Sequence, residues 1–154
     1  MKRTKSRNPF RIDAVSRTRL PFTRASLHTF CQKVFADLKL RQAHLSLLFV
    51  KDAEMKRWHW KLMRLRTTTD VISLGQLEGE GPNPLGSLGD LVICLDEARR
   101  QAARAGCSVQ EELRRYVIHG ILHCLGYDDI HPRDHKKMWG VQEQLVKKYR
   151  KFLG

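Results

Sequence analysis

No stretch of this 154-residue sequence approaches the ~20 consecutive apolar residues of a membrane-spanning helix. The opening MKRTKSRNPFR is basic but has no apolar run behind it, so residues 1–9 read as a frayed basic arm rather than a secretory signal. The four cysteines, Cys31, Cys94, Cys107 and Cys124, form no C-x-x-C pair. Cys31, Cys94 and Cys124 lie in strongly apolar segments and read as reduced core residues of a cytosolic protein. There is no internal repeat and no long linker, which suits a single domain over 1–154. Acidic residues are scarce: 16 Asp and Glu against 29 Lys and Arg leave a net charge of +13. That excess suggests an anionic partner, nucleic acid or an anionic membrane. The plain alternative is a soluble protein that is merely basic.

Hydrophobic spacing marks out the elements. FRIDAV (10–15) is expected as a first strand. In TRASLHTFCQKVFADLKL, Leu27, Phe30, Cys31, Val34, Phe35 and Leu38 recur at helical spacing, an amphipathic helix. HLSLLFV (44–50) alternates and then turns apolar, as a strand against a core does. DAEMKRWHWKLMR (52–64) reads as a helix with Met55, Trp58, Leu62 and Leu65 on one side. TDVISL (69–74) is β-rich, GQLEGEGPNPLGS (75–87) is a loop, and LGDLVICL (88–95) suits a central strand. DEARRQAARAG (96–106) is helical, with Gly106 at its C-cap. Ser108 and Glu111 have capping-box spacing, so a helix begins there, runs to about Leu125 and stops at Gly126. The last helix opens with Pro132 at N1 and carries a stripe of Met138, Val141, Leu145, Tyr149 and Phe152. The expected fold is α+β: one mixed sheet packed with several helices, the helix over 108–125 central.

That central helix is apolar except for one stripe of Glu112, Arg115, His119 and His123. The two histidines stand one turn apart and point the same way. A buried imidazole must find a partner, and either core hydrogen bonds or one shared metal ion would satisfy both. Gly126 lies seven residues after His119, and Asp129 ten after it. These are the offsets of the glycine and third ligand in H-E-x-x-H-x-x-G-x-x-H. There the helix must end after its second histidine, the glycine reverses the chain, and the third ligand swings back to the ion. His119, His123 and Asp129 are therefore the candidate zinc ligands, and three protein ligands leave a fourth position for water. The alternative for Asp128 and Asp129 is a solvated turn or an N-cap for the last helix. The glutamate of H-E-x-x-H, the general base of metalloproteases, is missing. Gly120 stands in its place, which disfavours peptide hydrolysis and would let another segment approach the metal closely.

At this point a resemblance is specific. HGILHCLGYDD is similar to the H-G-x-L-H-x-x-G-Y-D-H signature of the YbeY family of bacterial ribosomal-RNA-processing endoribonucleases. TDVISL (69–74) resembles that family's T-D-V-L-S-F segment, and LGDLVICLDEA (88–98) its L-G-D-I-V-I-C strand and following turn. The likeness covers roughly 10–150. It implies a cytoplasmic, zinc-dependent, single-strand-specific RNase with one ion per chain. Such an enzyme acts in maturation of the 16S rRNA 3′ end and in ribosome quality control. Its partners would be ribosomal RNA and the ribosome, with no membrane and no obligate protein partner. Two departures stand out. The family's third ligand is histidine where this chain has Asp129, with His131 and His135 nearby at non-matching offsets. The family's arginine seven residues before the aspartate of T-D-V falls on Met63, with Arg64 and Arg66 adjacent.

The reading is thus a zinc endoribonuclease in which Arg64 and Arg66 hold the RNA backbone. The metal-bound water would be the catalyst, and no side chain emerges as a general base. A solvated helix face is the plain reading of the basic run 57–66. Of Trp58 and Trp60, helical spacing puts at least one in the core. The runner-up is a non-catalytic, metal-stabilised rRNA-binding assembly factor.

Overall fold

Two parallel pairings and one antiparallel pairing build the sheet. The computed structural model describes residues 7–75 and 87–153; the first six residues of the basic arm, most of the loop expected over 75–87, and residue 154 lie outside them. In chain order the elements are β1 (Phe10–Ser16), α1 (Arg24–Asp37), β2 (Ala43–Val50), α2 (Asp52–Met63), β3 (Val71–Gly75), β4 (Ser87–Cys94), α3 (Leu95–Ala105), α4 (Val109–Cys124) and α5 (Pro132–Lys148). The sheet order is β1-β2-β4-β3. β1 lies parallel to β2, β2 parallel to β4, and β3 antiparallel to β4. The fold is α+β with a mixed sheet, as the spacing predicts. β4 has a neighbour on each side, which explains its unbroken apolar run.

α4 packs on β3 and β4 and is flanked by α3 and α5. Leu113, Val117, Ile118, Ile121 and Leu122 are wholly buried on it. Each such side chain contributes about 1.5–3 kcal/mol, so packing rather than helix propensity holds α4 in place. Ser108 caps it, its Oγ accepting from the Glu111 amide at 3.1 Å. Only this half of the capping box forms as expected, because the Glu111 carboxylate accepts from Arg115 at 3.3 Å instead.

The central glycine of α4 has a steric cause. A Cβ on Gly120 would stand 2.7 Å from both methyl carbons of Leu91 in β4. The segment for which Gly120 leaves room is therefore the sheet itself.

One expected helix face is corrected, and the expected α5 stripe packs on the core with one buried polar residue added. On α2, Met55 and His59 are buried, while Leu62 and Leu65 are 37% and 49% exposed. The helix stops at Met63, where Arg64 turns left-handed (φ 58°), so Leu65 never joins the helical face. His59 takes the inward place one turn after Met55, and its Nδ1 donates to the Thr67 carbonyl at 2.7 Å. Trp58 packs against the small cluster of Val50, Met55, Ile72, Val92 and Cys94, whereas Trp60 is exposed. On α5, Gln142 is buried and Val141 only half-buried. Cys31, Cys94 and Cys124 are buried and form no disulfide among the described residues, and burial pushes the Cys31 thiol up to about 12. Among the described residues no helix is long and apolar enough to cross a membrane.

Candidate metal centre

His119 and His123 turn their Nε2 atoms toward each other, 3.0 Å apart. Two imidazole lone pairs at that separation repel unless a proton or cation lies between them. The chain then reverses. Gly126 adopts φ +91°, a left-handed conformation that favours glycine, and the Tyr127 amide donates back to the Leu122 carbonyl at 3.0 Å. The turn brings Asp129 Oδ2 to 3.5 Å from His123 Nε2. One ligand atom from each of His119, His123 and Asp129 lies within 4.8 Å of the other two. Zinc bonds of about 2.0–2.1 Å in a tetrahedron set donors roughly 3.3 Å apart. The two distances from His123 Nε2, 3.0 and 3.5 Å, bracket that value, and the third pair lies within 4.8 Å, so two imidazoles and a carboxylate stand together as a donor set whose chemistry suits a metal ion.

Asp128 helps to make the turn rather than capping α5: its Oδ1 accepts from the Ile130 amide at 2.9 Å. The N-cap position of α5 belongs to His131, without a side-chain cap bond. His135 stacks on Trp139, ring centroids 6.1 Å apart. Neither His131 nor His135 joins the group around His119.

Sequence reasoning missed Gln142. His119 Nδ1 donates to its Oε1 at 2.7 Å, which leaves Nε2 as the basic nitrogen of that ring. The Gln142 amide nitrogen donates to Glu143 Oε1 at 3.2 Å, and Arg115 Nε donates to the same oxygen at 2.7 Å. Arg115 also binds Glu112 and Glu111. A fixed chain thus runs from Arg115 through Glu143 and Gln142 to His119. The hydrogen bonds to Glu143 hold the Arg115 guanidinium charged, well above its ordinary range, against the cost of burial. Burial acts to raise Glu143, but hydrogen bonds from Arg115 and Gln142 outweigh it and hold the carboxyl below its usual range. The signal available in the sequence was a polar residue one turn after Met138, inside an apolar stripe.

Cys107, Glu111 and Glu112 also bring ligand atoms within 4.8 Å of one another. Arg115 already supplies a cation to both carboxylates. Arg64 and Arg66 do not line the cleft beside His119. Their guanidinium carbons stand 5.5 and 5.0 Å from the Trp60 ring centroid at the end of α2.

The family model for Endoribonuclease YbeY matches residues 14–150. The chain belongs to the YbeY family. A curated YbeY relative from Paenarthrobacter aurescens (strain TC1), named as an endoribonuclease, is 38% identical over 136 residues, covering 84% of this chain and 85% of its own. Another YbeY endoribonuclease, from Thermobifida fusca (strain YX), is 36% identical over 149 residues, covering 92% and 96%. A Thermotoga maritima protein solved in solution shares the fold, with a TM-score of 0.61 at 22% identity over 90% of this chain and 87% of that one. The YbeY match begins within β1 and runs through the reversing turn and α5, so the residues around His119 all lie inside it.

Proposed function

We propose that this protein is a zinc-dependent, single-strand-specific endoribonuclease. In this reading it acts in the cytoplasm on ribosomal RNA, in maturation of the 16S rRNA 3′ end and in ribosome quality control. One ion per chain would be held by His119 Nε2, His123 Nε2 and Asp129. The observation that carries the reading is the convergence of these three donor groups, whose ligand atoms lie within 4.8 Å of one another. Family membership supports the RNA chemistry, and the charge of +13 suits a polyanionic partner. A zinc ion there supplies Lewis-acid polarisation of the scissile phosphate and a nucleophile at neutral pH. The chain's own residues do the rest. Gln142 fixes the His119 ring through Nδ1, Asp129 contributes the one negative charge among the three ligands, and Arg64 and Arg66 offer guanidinium groups to the backbone.

The test compares four variants for zinc content and for cleavage of a short single-stranded transcript of the 16S 3′ end. Asp129→Asn should lose metal, because a neutral amide is a poor zinc ligand, and Asp129→His should keep it. His131→Ala and His135→Ala should leave the ion in place. Metal lost in either of these, with Asp129→Asn unaffected, would overturn the ligand assignment. Metal-stripped protein should bind the transcript without cutting it; undiminished cleavage would overturn the metal-dependent reading.

A further inference from the structure

A cleft of about 620 Å³ opens beside His119, within the ~300–1,000 Å³ range of small-ligand sites. Its walls include Asp70, Glu111, Glu112, Tyr116 and Trp139. The charge there runs against that of the whole molecule. Arg115 is the one Lys or Arg among the described lining residues, and it is already bound by Glu111, Glu112 and Glu143. A phosphate entering this space would meet carboxylates and no uncommitted guanidinium.

A neutral planar group meets something different. Trp139 is 51% exposed and offers an open indole surface, one side of which is stacked by His135. Carboxylate oxygens accept hydrogen bonds from exocyclic amines. Tyr116 lines the same wall; it is 5% exposed and its hydroxyl has no hydrogen-bond partner among the described residues. We infer that this cleft takes one unpaired nucleobase next to the cleaved bond, stacked on Trp139 and read through its exocyclic amine by Glu111. The inference rests on the endoribonuclease reading above and adds a subsite to it. The phosphate stays outside with the donor triad, and the base turns inward. Adenine, guanine and cytosine carry the amine, and uracil does not, so uracil is the disfavoured base at this position.

The probe is a single-stranded RNA with 2-aminopurine beside the cleaved bond, mixed with the zinc-loaded full chain. Stacking on Trp139 should quench the probe. Trp139→Ala should abolish the quenching and weaken RNA binding about tenfold, with zinc content unchanged, while Trp139→Phe should retain most of both. Glu111→Gln should reduce the preference for cytosine over uracil at that position by about tenfold. If the wild type cleaves RNA but Trp139→Ala quenches and binds as the wild type does, the base subsite is overturned and the nuclease reading stands. If the wild type neither binds nor cleaves the RNA, both fall. A second equivalent of divalent metal, lost in Glu111→Gln, would identify the cleft as a cation site and overturn the inference.

Discussion

Helices α2 and α4 both present candidate RNA-handling residues, yet they hold them in opposite ways. On α4, Arg115 and His119 are tied to named partners at 2.7 Å, and the helix lies on the sheet. At the C-terminal end of α2, Trp60 on the helix and Arg64 and Arg66 just beyond it face solvent, and the two guanidinium groups lie over the indole. Under the proposed function the difference follows the task. An ion needs donors held to within about half an ångström, which requires packed rotamers and a supporting shell of hydrogen bonds. A phosphate backbone is held by long-range charge from flexible side chains, and exposure costs that interaction little.

The largest effect should come from removing a donor on the rigid side. His119→Ala deletes one nitrogen and leaves the Gln142 oxygen without that partner, so zinc affinity should fall by at least about a hundredfold. Elemental analysis and a chelator titration would read it, and a full equivalent of retained zinc would break the contrast. Next comes Gln142→Leu, which touches no ion. It should cost about 10–100-fold in zinc affinity because the His119 ring loses its orientation. Gln142→Glu keeps an acceptor for His119 but turns its other oxygen toward Glu143, so it should retain more affinity than Gln142→Leu and less than the wild type; equal behaviour of the two variants would reduce Gln142 to packing.

On the open side the effects should be smaller and of another kind. Arg64→Ala combined with Arg66→Ala should weaken RNA binding severalfold. The slope of log affinity against log salt should become shallower by about 0.7 for each phosphate that is no longer neutralised. Zinc content should not change, and a fall in zinc would show that the two helices are coupled.

The smallest effect concerns the other end of α2, where Asp52 accepts two 2.7 Å hydrogen bonds from Arg100. Arg100 holds the Asp52 carboxyl well below its usual range. The folded chain therefore takes up this proton less readily than the unfolded chain. The stabilisation is present above about pH 4, the ordinary carboxyl value, and is lost as pH falls through the folded-state value. Asp52→Asn should lower stability at neutral pH and flatten its decline below pH ~4 in acid titrations followed by circular dichroism. The pair is about one-third exposed (38% and 30%), so the change should be modest.

The order of the elements was legible because each strand or helix has its own period, and Ser108, Gly126 and Pro132 punctuate them. The grouping of His119, His123 and Asp129 was legible too, since one turn of helix and one reversing glycine fix it locally. What distant segments decide was not. The burial of His59 depends on the Thr67 carbonyl meeting its ring. The role of Gln142 depends on α5 folding back across α4, a pairing 23 residues apart in sequence. The sheet order depends on β4 inserting between β2 and β3, which no local pattern encodes.

Gly120 sits where H-E-x-x-H has its glutamate. With Leu91 2.7 Å from where a Cβ would be, even a methyl group at this position would act as a wedge between helix and sheet. Overpacking of this kind costs about 1–3 kcal/mol, and it falls first on the Leu91 side chain, whose methyl carbons it meets. A glutamate at this position would first have to displace the Leu91 side chain. The room for a general base on this turn of α4 is thus set from across the interface, by one leucine of the sheet.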